Sequence, residues 1–378
     1  MFDFYSDTKT KPTMAMREAT LSAVVGDEQK DEDPTTLELC ERVAALLGKE
    51  AAVFLLSGTM CNEIAIRVHT NPGDEVICER TCHLVNYEAG GPAAISGIMI
   101  HAIDGENGIF EPAQVSGAIR PNSRYMPVSR LVCVEQTANL GGGAVWPQVK
   151  IRGVALAAKD AGLATHMDGA RLMNAAVKSG IPAASWTEGY DSCWIDFTKG
   201  LGAPVGAVLA GSAEFIGQAW RIKQQIGGSM RQSGIIAAMC LYALDHNVDR
   251  LADDHDLAAL IAARISALDH IVNVLPVDTN IVIFDLSEDA PDAASLVASL
   301  EGDGILIGAF GERRIRIVTH LDVDPTAGDA LCQSDGWRCA LPKFGEAPLG
   351  LQSKSLILKS RFGSLTTVTK FAGMLEAG

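Results

Sequence analysis

The chain has 378 residues, 48% of them hydrophobic, which is enough to bury a large core divided between two domains and excludes a disordered polymer. Its 31 Lys+Arg against 46 Asp+Glu give a formal charge of −15, and with no local basic patch this balance repels nucleic-acid phosphates and anionic lipid. The opening MFDFYSDTKT lacks the basic-then-apolar layout of a secretory signal, and no apolar run approaches the roughly 18 residues that span a bilayer, so a cytoplasmic address is expected.

In chain order, short β-branched runs alternate with stretches of helical period. AAVFLL (51–56) precedes MCNEIAIRVHT (60–70), DEVICE (74–79) precedes NYEAGGPAAIS (86–96), and RLVCVEQ (130–136) precedes VKIRGVALAAKDAG (149–162). LATHMD (163–168) and SCWIDF (192–197) read as further strands. This is the rhythm of βαβ units around a buried, mostly parallel sheet. The pattern then changes to long helices, IIAAMCLYALDHNVDRL (235–251) and HDLAALIAARISAL (255–268), followed by TNIVIFDL (279–286) and RRIRIVTHL (313–321). The last two alternate as half-exposed strands of a smaller α+β domain. The expected division is an arm over 1–20, a large domain over 21–250, a small domain over 251–332 and a tail of uncertain structure over 333–378, rich in Gly, Pro and basic residues.

Nine cysteines, an odd number, sit in hydrophobic segments and read as small buried hydrophobes of a reducing compartment. Cys78, Cys82 and His83 cluster in VICERTCHLV, but without a second ligand pair at the right spacing no metal is expected.

In such sheets ligands gather beyond the carboxyl ends of the strands, so the residues just after each strand are where chemistry is sought. After AAVFLL come Ser57, Gly58 and Thr59, either an anion seat suited to phosphate or an ordinary helix cap. After LATHM come Asp168 and Arg171; the carboxylate suits a cationic ring nitrogen and the guanidinium a substrate carboxylate gripped by two parallel hydrogen bonds, unless the two simply pair in a turn. After SCWIDF come Thr198 and Lys199, and a lysine in a partly desolvated cleft forms an imine with an aldehyde, where an exposed loop lysine does nothing. The conjunction is the set of groups that binds pyridoxal phosphate.

SDTKTKPT (6–13), EDPTT (32–36), SGTMCNE (57–63), HMDGARLMNA (166–175), TKGLGAPVG (198–206), GGSMRQSG (227–234) and RIRIVTHLDV (314–323) together resemble the L-threonine aldolases, from about residue 4 to about residue 331. The resemblance implies the fold type I of pyridoxal-phosphate enzymes, with a mostly parallel seven-stranded sheet and a smaller C-terminal α+β domain. It implies pyridoxal 5'-phosphate as cofactor and cleavage of β-hydroxy amino acids to glycine and an aldehyde. Lys199 would carry the coenzyme as an imine, Asp168 would pair with its ring nitrogen, and Ser57, Gly58, Thr59 and Thr198 would surround the phosphate. His83 would stack on the ring and serve as base for the substrate hydroxyl. Ser6, Arg171 and Arg316 would hold the substrate carboxylate, though Arg316 shares a strand face with Arg314 that would otherwise read as solvated. Arg231 would lie near the site, reaching it across a subunit boundary in a homotetramer.

The chain departs from the family pattern at particular points. EQTANL (135–140) puts Ala138 where the family has a histidine near the substrate hydroxyl, and KDEDP (30–34) puts Lys30 where it has a tyrosine. The first opens space for a bulkier group such as that of phenylserine; the second is either a solvated loop lysine or a cation for an acidic substrate such as 3-hydroxyaspartate. A β-eliminating lyase or aminotransferase of the same fold is the rival reaction.

Overall fold

The computed structural model describes residues 1–340. A first short strand, β1 (Phe2–Asp3), is followed by β2 (Ala51–Leu55), β3 (Glu75–Glu79), β4 (Met99–Ile103), β5 (Ser129–Glu135), β6 (Ala164–Asp168), β7 (Ser192–Asp196) and β8 (Ala207–Gly211). β2 to β8 form one seven-stranded sheet in the order β2-β8-β7-β6-β5-β3-β4. β8 runs antiparallel to both neighbours and every other pairing is parallel.

The near-continuous apolar runs of these strands have a simple cause: both faces of the sheet are covered. Phe54, Ile77, Val132, Val134, Cys193 and Ile195 point into one core. Their chain neighbours Val53, Leu55 and Trp194 point into a second, and Val76, Cys78, Leu131 and Cys133 into a third on that side. Cys78 and Cys82 are both buried in that apolar cluster. The helix Gly58–His69 packs against Ala213–Gln225, and Pro34–Leu46 packs against Gly234–His246.

The C-terminal layer adds β9 (Ile271–Val272), β10 (Ile281–Leu286), β11 (Ile305–Leu306), β12 (Gly308–Ala309) and β13 (Arg314–Val318). Four of these make an antiparallel sheet in the order β12-β13-β10-β9, while β1 pairs in parallel with β11. The half-exposed reading of TNIVIFDL and RRIRIVTHL is corrected: apart from Asp285 and Arg314 every residue of β10 and β13 is buried. Of the charged residues in these strands, Arg316 lines a cavity, while Arg314 and Asp285 pair with each other near the surface. The N-terminal arm is laced to this layer, with Val318 N–H donating to Phe4 O at 2.8 Å and Phe4 N–H to Leu306 O at 2.7 Å. That lacing carries Ser6 and Asp7 toward Arg316.

NYEAGGPAAIS is not one helix. It breaks into His83–Asn86 and a wide turn over Pro92–Ser96, because Gly90 and Gly91 before a proline interrupt helical propagation. The strands β4 and β8 and the helices Pro34–Leu46, Pro112–Ala118 and Ala213–Gln225 escaped the sequence reading; β4 is only partly buried and lacks the apolar run of its neighbours. Of the expected tail, Asp335–Ala340 forms a short helix whose Trp337 is buried beside Phe284. The rest, 341–378, lies outside the described residues.

Candidate active site

The strands β5, β6 and β7 end on carboxylates: Glu135, Asp168 and Asp196. Glu135 and Asp168 are register partners, so the parallel pairing itself sets them side by side. All three line one cavity of about 380 Å³ together with Ser6, Ser57, Gly58, Thr59, His83, Arg171, Thr198, Lys199 and Arg316. Ten of the residues singled out in the sequence are thus brought together, from six separate segments of the chain.

Lys199 follows β7 through one turn, and its Nζ reaches Asp196 Oδ2. Asp196 Oδ1 accepts from the Thr198 N–H at 2.8 Å and from its hydroxyl at 2.7 Å, so the threonine fastens the loop that presents the lysine. On the opposite wall Ser57 caps the helix Gly58–His69, its Oγ accepting from Met60 N–H at 3.2 Å. Gly58 and Thr59 begin that helix and line the cavity, so its first N–H groups, which have no partner within the helix, offer a seat for an anion. Gly58 has a steric reason to be glycine: a Cβ there would lie 2.2 Å from the Trp194 ring.

Asp168 is buried, with Oδ2 accepting from Asn62 Nδ2 at 2.9 Å and Oδ1 from Ala170 N–H at 3.0 Å. Asn62 is itself fixed. Its Oδ1 accepts from Trp194 Nε1 at 2.7 Å and from His166 Nε2 at 3.1 Å. Since that oxygen can only accept, His166 carries its proton on Nε2 and takes the Ser192 hydroxyl on Nδ1, 2.8 Å away. Burial holds His166 down to about 3 and His69, on the far side of Ser192, down to about 4, so both rings are neutral.

Of the two cavity arginines, Arg171 differs from expectation. Both parallel hydrogen bonds of the Arg171 fork go to Asp7, Nε to Oδ2 at 2.8 Å and NH2 to Oδ1 at 2.7 Å, not outward to a ligand. Burial opposes ionisation of Asp7, yet the Arg171 guanidinium outweighs it and holds the carboxyl far below its usual range. Arg171 NH1 remains, at 3.4 Å from Asn139 Oδ1, which also accepts from Arg316 NH1 at 2.9 Å. Arg316 is buried, its guanidinium 4.0 Å over the Phe310 ring and its Nε without a partner among the described residues. Burial and the like charge of Arg171 lower it to about 10, so it stays cationic at neutral pH. An unpartnered N–H on a buried cation, beside a second cation, fits a carboxylate.

His83 opens the helix His83–Asn86, its ring 5.6 Å from that of Tyr87. Its backbone N–H donates to Glu135 Oε2, and Asn139 N–H donates to Glu135 Oε1, both at 2.6 Å; one buried carboxyl ties both segments to the sheet. Burial and nearby Asp168 push Glu135 up to about 7 against those two N–H donors.

Three predicted residues stay outside the cavity. The buried methyl of Ala138 faces Gly108 and Gly141. Lys30 is exposed on the short helix Glu28–Lys30, and Arg231 pairs with Asp27 at 2.8 Å and is largely exposed. These two belong to neighbouring segments, since Glu28 N–H donates to Arg231 O at 2.9 Å. Conversely, sequence reading passed over Asp7, Asn62, Glu135, Asn139 and Asp196. Glu135 and Asp196 were open to the strand-end rule; the others needed the fold.

The buried carboxylate, the lysine, the helix N-terminus and the close approach at Gly58 fit pyridoxal phosphate. Residues 3–289 match the family model described as beta-eliminating lyase. The chain is 40% identical over 324 residues to probable low-specificity L-threonine aldolase 2 of Arabidopsis thaliana, covering 84% of this chain and 91% of that one. It is 38% identical to the low specificity L-threonine aldolase of Escherichia coli strain K12, covering 85% and 95%. The chain belongs to the L-threonine aldolases of the beta-eliminating lyase family. It is therefore a pyridoxal-phosphate-dependent lyase. The fold agrees: the threonine aldolase of Leishmania major superposes with a TM-score of 0.76 at 19% identity, covering 88% of this chain and 98% of that one. Among the described residues of this aldolase-family chain, no helix is long and apolar enough to cross a membrane.

Proposed function

We propose that the chain cleaves L-threonine, L-allo-threonine and related β-hydroxy-α-amino acids to glycine and an aldehyde by retro-aldol reaction. The observation that carries this reading is the convergence of Lys199, Asp168 and the Arg171–Arg316 pair on one cavity. Bound pyridoxal phosphate supplies the electron sink for the pair left on Cα when the Cα–Cβ bond opens.

The protein's own groups do the rest. Gly58, Thr59 and Ser57 would receive the phosphate, Thr198 would join them on releasing Asp196, and the Asp168 carboxylate would hold the ring nitrogen. Lys199 provides the amine that holds the coenzyme between turnovers, with Asp196 as its resting partner. Arg316, the remaining NH1 of Arg171 and Ser6 would take the substrate carboxylate and fix the orientation of the bond to be broken. His83, whose Nδ1 is engaged with Glu88, takes the β-hydroxyl proton on Nε2.

Tyr5, Tyr87 and Phe310 also line the cavity and favour bulky apolar aldehydes such as that released from phenylserine as a second substrate class. Lys30 lies outside this cavity, so its reading as a cation for acidic substrates, like that of Arg231 at the cofactor, depends on a neighbouring subunit. We propose a homotetramer on the same grounds.

The test is a panel of β-hydroxy amino acids with glycine, aldehyde, ammonia and keto acid all measured, on wild type and Ala138→His. Equal glycine and aldehyde are expected; ammonia with keto acid instead would make the chain an eliminating lyase. An unchanged threo/erythro ratio in Ala138→His would remove position 138 from the account of stereochemical preference.

A further inference from the structure

Two carboxyl groups, one of them the Glu88 that engages His83, are buried beside each other away from the cavity lining. Glu63 comes from the helix Gly58–His69 and Glu88 from the turn after His83–Asn86, and both are buried. Glu88 Oε1 accepts from Asn62 Nδ2 at 2.7 Å and from His83 Nδ1 at 2.9 Å. Among the described residues, Glu88 Oε2 and both oxygens of Glu63 are buried with no hydrogen-bond partner. The two carboxyls are neighbours, the charge of Glu88 opposing ionisation of Glu63. The chain also closes over them, since a Cβ on Gly91 would sit 2.0 Å from Glu63 Oε1.

Two carboxylates facing each other in a dry site cannot both be ionised, so the pair holds one proton. Its location follows from the partners. Two N–H donors stabilise Glu88 as the anion, whereas Glu63 has none and keeps the proton, donating it to Glu88 Oε2. Burial and the neighbouring Glu88 charge raise Glu63 to about 8, in agreement.

The geometry points to Glu63 as an acid that stays protonated at neutral pH and locks Glu88 in place as the acceptor for His83 Nδ1–H, which makes both glutamates positioning residues for His83. The inference rests on the reading of His83 as the base. Its consequence is tautomer control: with Nδ1 protonated, only Nε2 is left to receive the substrate's proton, and the charge then arising on the ring meets a single negative charge from the glutamate pair. The other charged or titratable groups near His83 are Asp168, Glu135 and Tyr87. Burial disfavours the imidazolium, but Glu88, Asp168 and Glu135 outweigh it and raise His83 above 6.5. A neutral base is lost as pH falls through that raised value, so the acid limb of kcat/KM lies above the ordinary histidine position.

The experiment compares wild-type holoenzyme with Glu63→Gln, Glu63→Met and Glu88→Gln by infrared spectroscopy, by NMR of isotope-labelled histidine, and by the pH profile of kcat/KM. The difference spectrum of wild type minus Glu63→Gln is expected to show the C=O stretch of a protonated carboxyl near neutral pH. Glu63→Gln still offers an N–H to Glu88 and leaves the His83 titration in place. Glu63→Met removes the donor, concentrates charge on Glu88 and moves that titration up by about one unit, the scale of one hydrogen bond to a charged group; Glu88→Gln moves it down. Absence of the infrared band, or a His83 titration identical in wild type and Glu63→Met, overturns the inference. A titration that shifts while the acid limb of kcat/KM stays put upholds the glutamate pair and removes His83 as the base.

Discussion

Arg171 and Asp7 close a bidentate ion pair at 2.7 and 2.8 Å, with both side chains essentially out of solvent. The pair joins the segment after β6 to the N-terminal arm, and Asn280 Nδ2 braces Asp7 from the C-terminal layer at 3.0 Å. Asp7→Ala strands a buried guanidinium, a loss of about 3–5 kcal/mol of stability. Thermal melts should show a large drop, with a smaller one in Asp7→Asn; melts unchanged in Asp7→Ala would mean that the pair holds nothing together.

Arg316 is expected to set substrate affinity through its fork. Arg316→Lys keeps the charge but loses the planar donor pair, and one charge-assisted hydrogen bond is worth about 1.5–3 kcal/mol, so KM for L-threonine should rise about tenfold or more. Initial-rate kinetics decide this, and a KM within twofold of wild type would assign the carboxylate to other groups.

Gly58→Ala drives a methyl into the Trp194 ring, which must shift and so loosen its 2.7 Å bond to Asn62 Oδ1. Overpacking of this kind costs about 1–3 kcal/mol. Absorbance titration with pyridoxal phosphate should show weakened binding as well as a lower melting point. Coenzyme affinity equal to wild type would take the first turn of this helix out of the phosphate site.

Acid should destabilise the fold through buried neutral histidines. Burial lowers His69 and His255 to about 4 and His166 to about 3 from the ordinary 6.5. Between those values the unfolded chain takes up protons that the folded chain refuses, so stability is lost as pH falls from 6.5 toward 4. Melting midpoints across that window should fall, and less steeply in His69→Gln; a flat curve would show that these rings are protonated in the folded state.

Much of the site was legible from residues alone. Lys199, Asp168, Gly58 and Thr59 each follow an apolar run at the end where parallel strands deliver ligands, and the cavity contains all four. The resemblance added Ser6, His83 and Arg316, which also line it. What failed were partnerships. The Asp168–Arg171 spacing gave no sign that Asp7 takes the Arg171 fork, and Arg314 and Arg316 look alike in RRIRIVTHL, although one pairs with Asp285 near the surface and the other is buried over Phe310.

The sequence by itself determined the alternation of strands and helices, the two-sided burial of the main sheet and the positions of the chemistry-bearing strand ends, because these depend on local periodicity and on which residues can be buried. Only the tertiary structure decided which charges meet. Asp7 reaches Arg171 across 164 residues of chain, Asn280 reaches Asp7 across 273, and Asn62 reaches Asp168 across 106. Electrostatic partnership depends on distance in space and on exclusion of water, and neither is encoded in the spacing of residues along the chain.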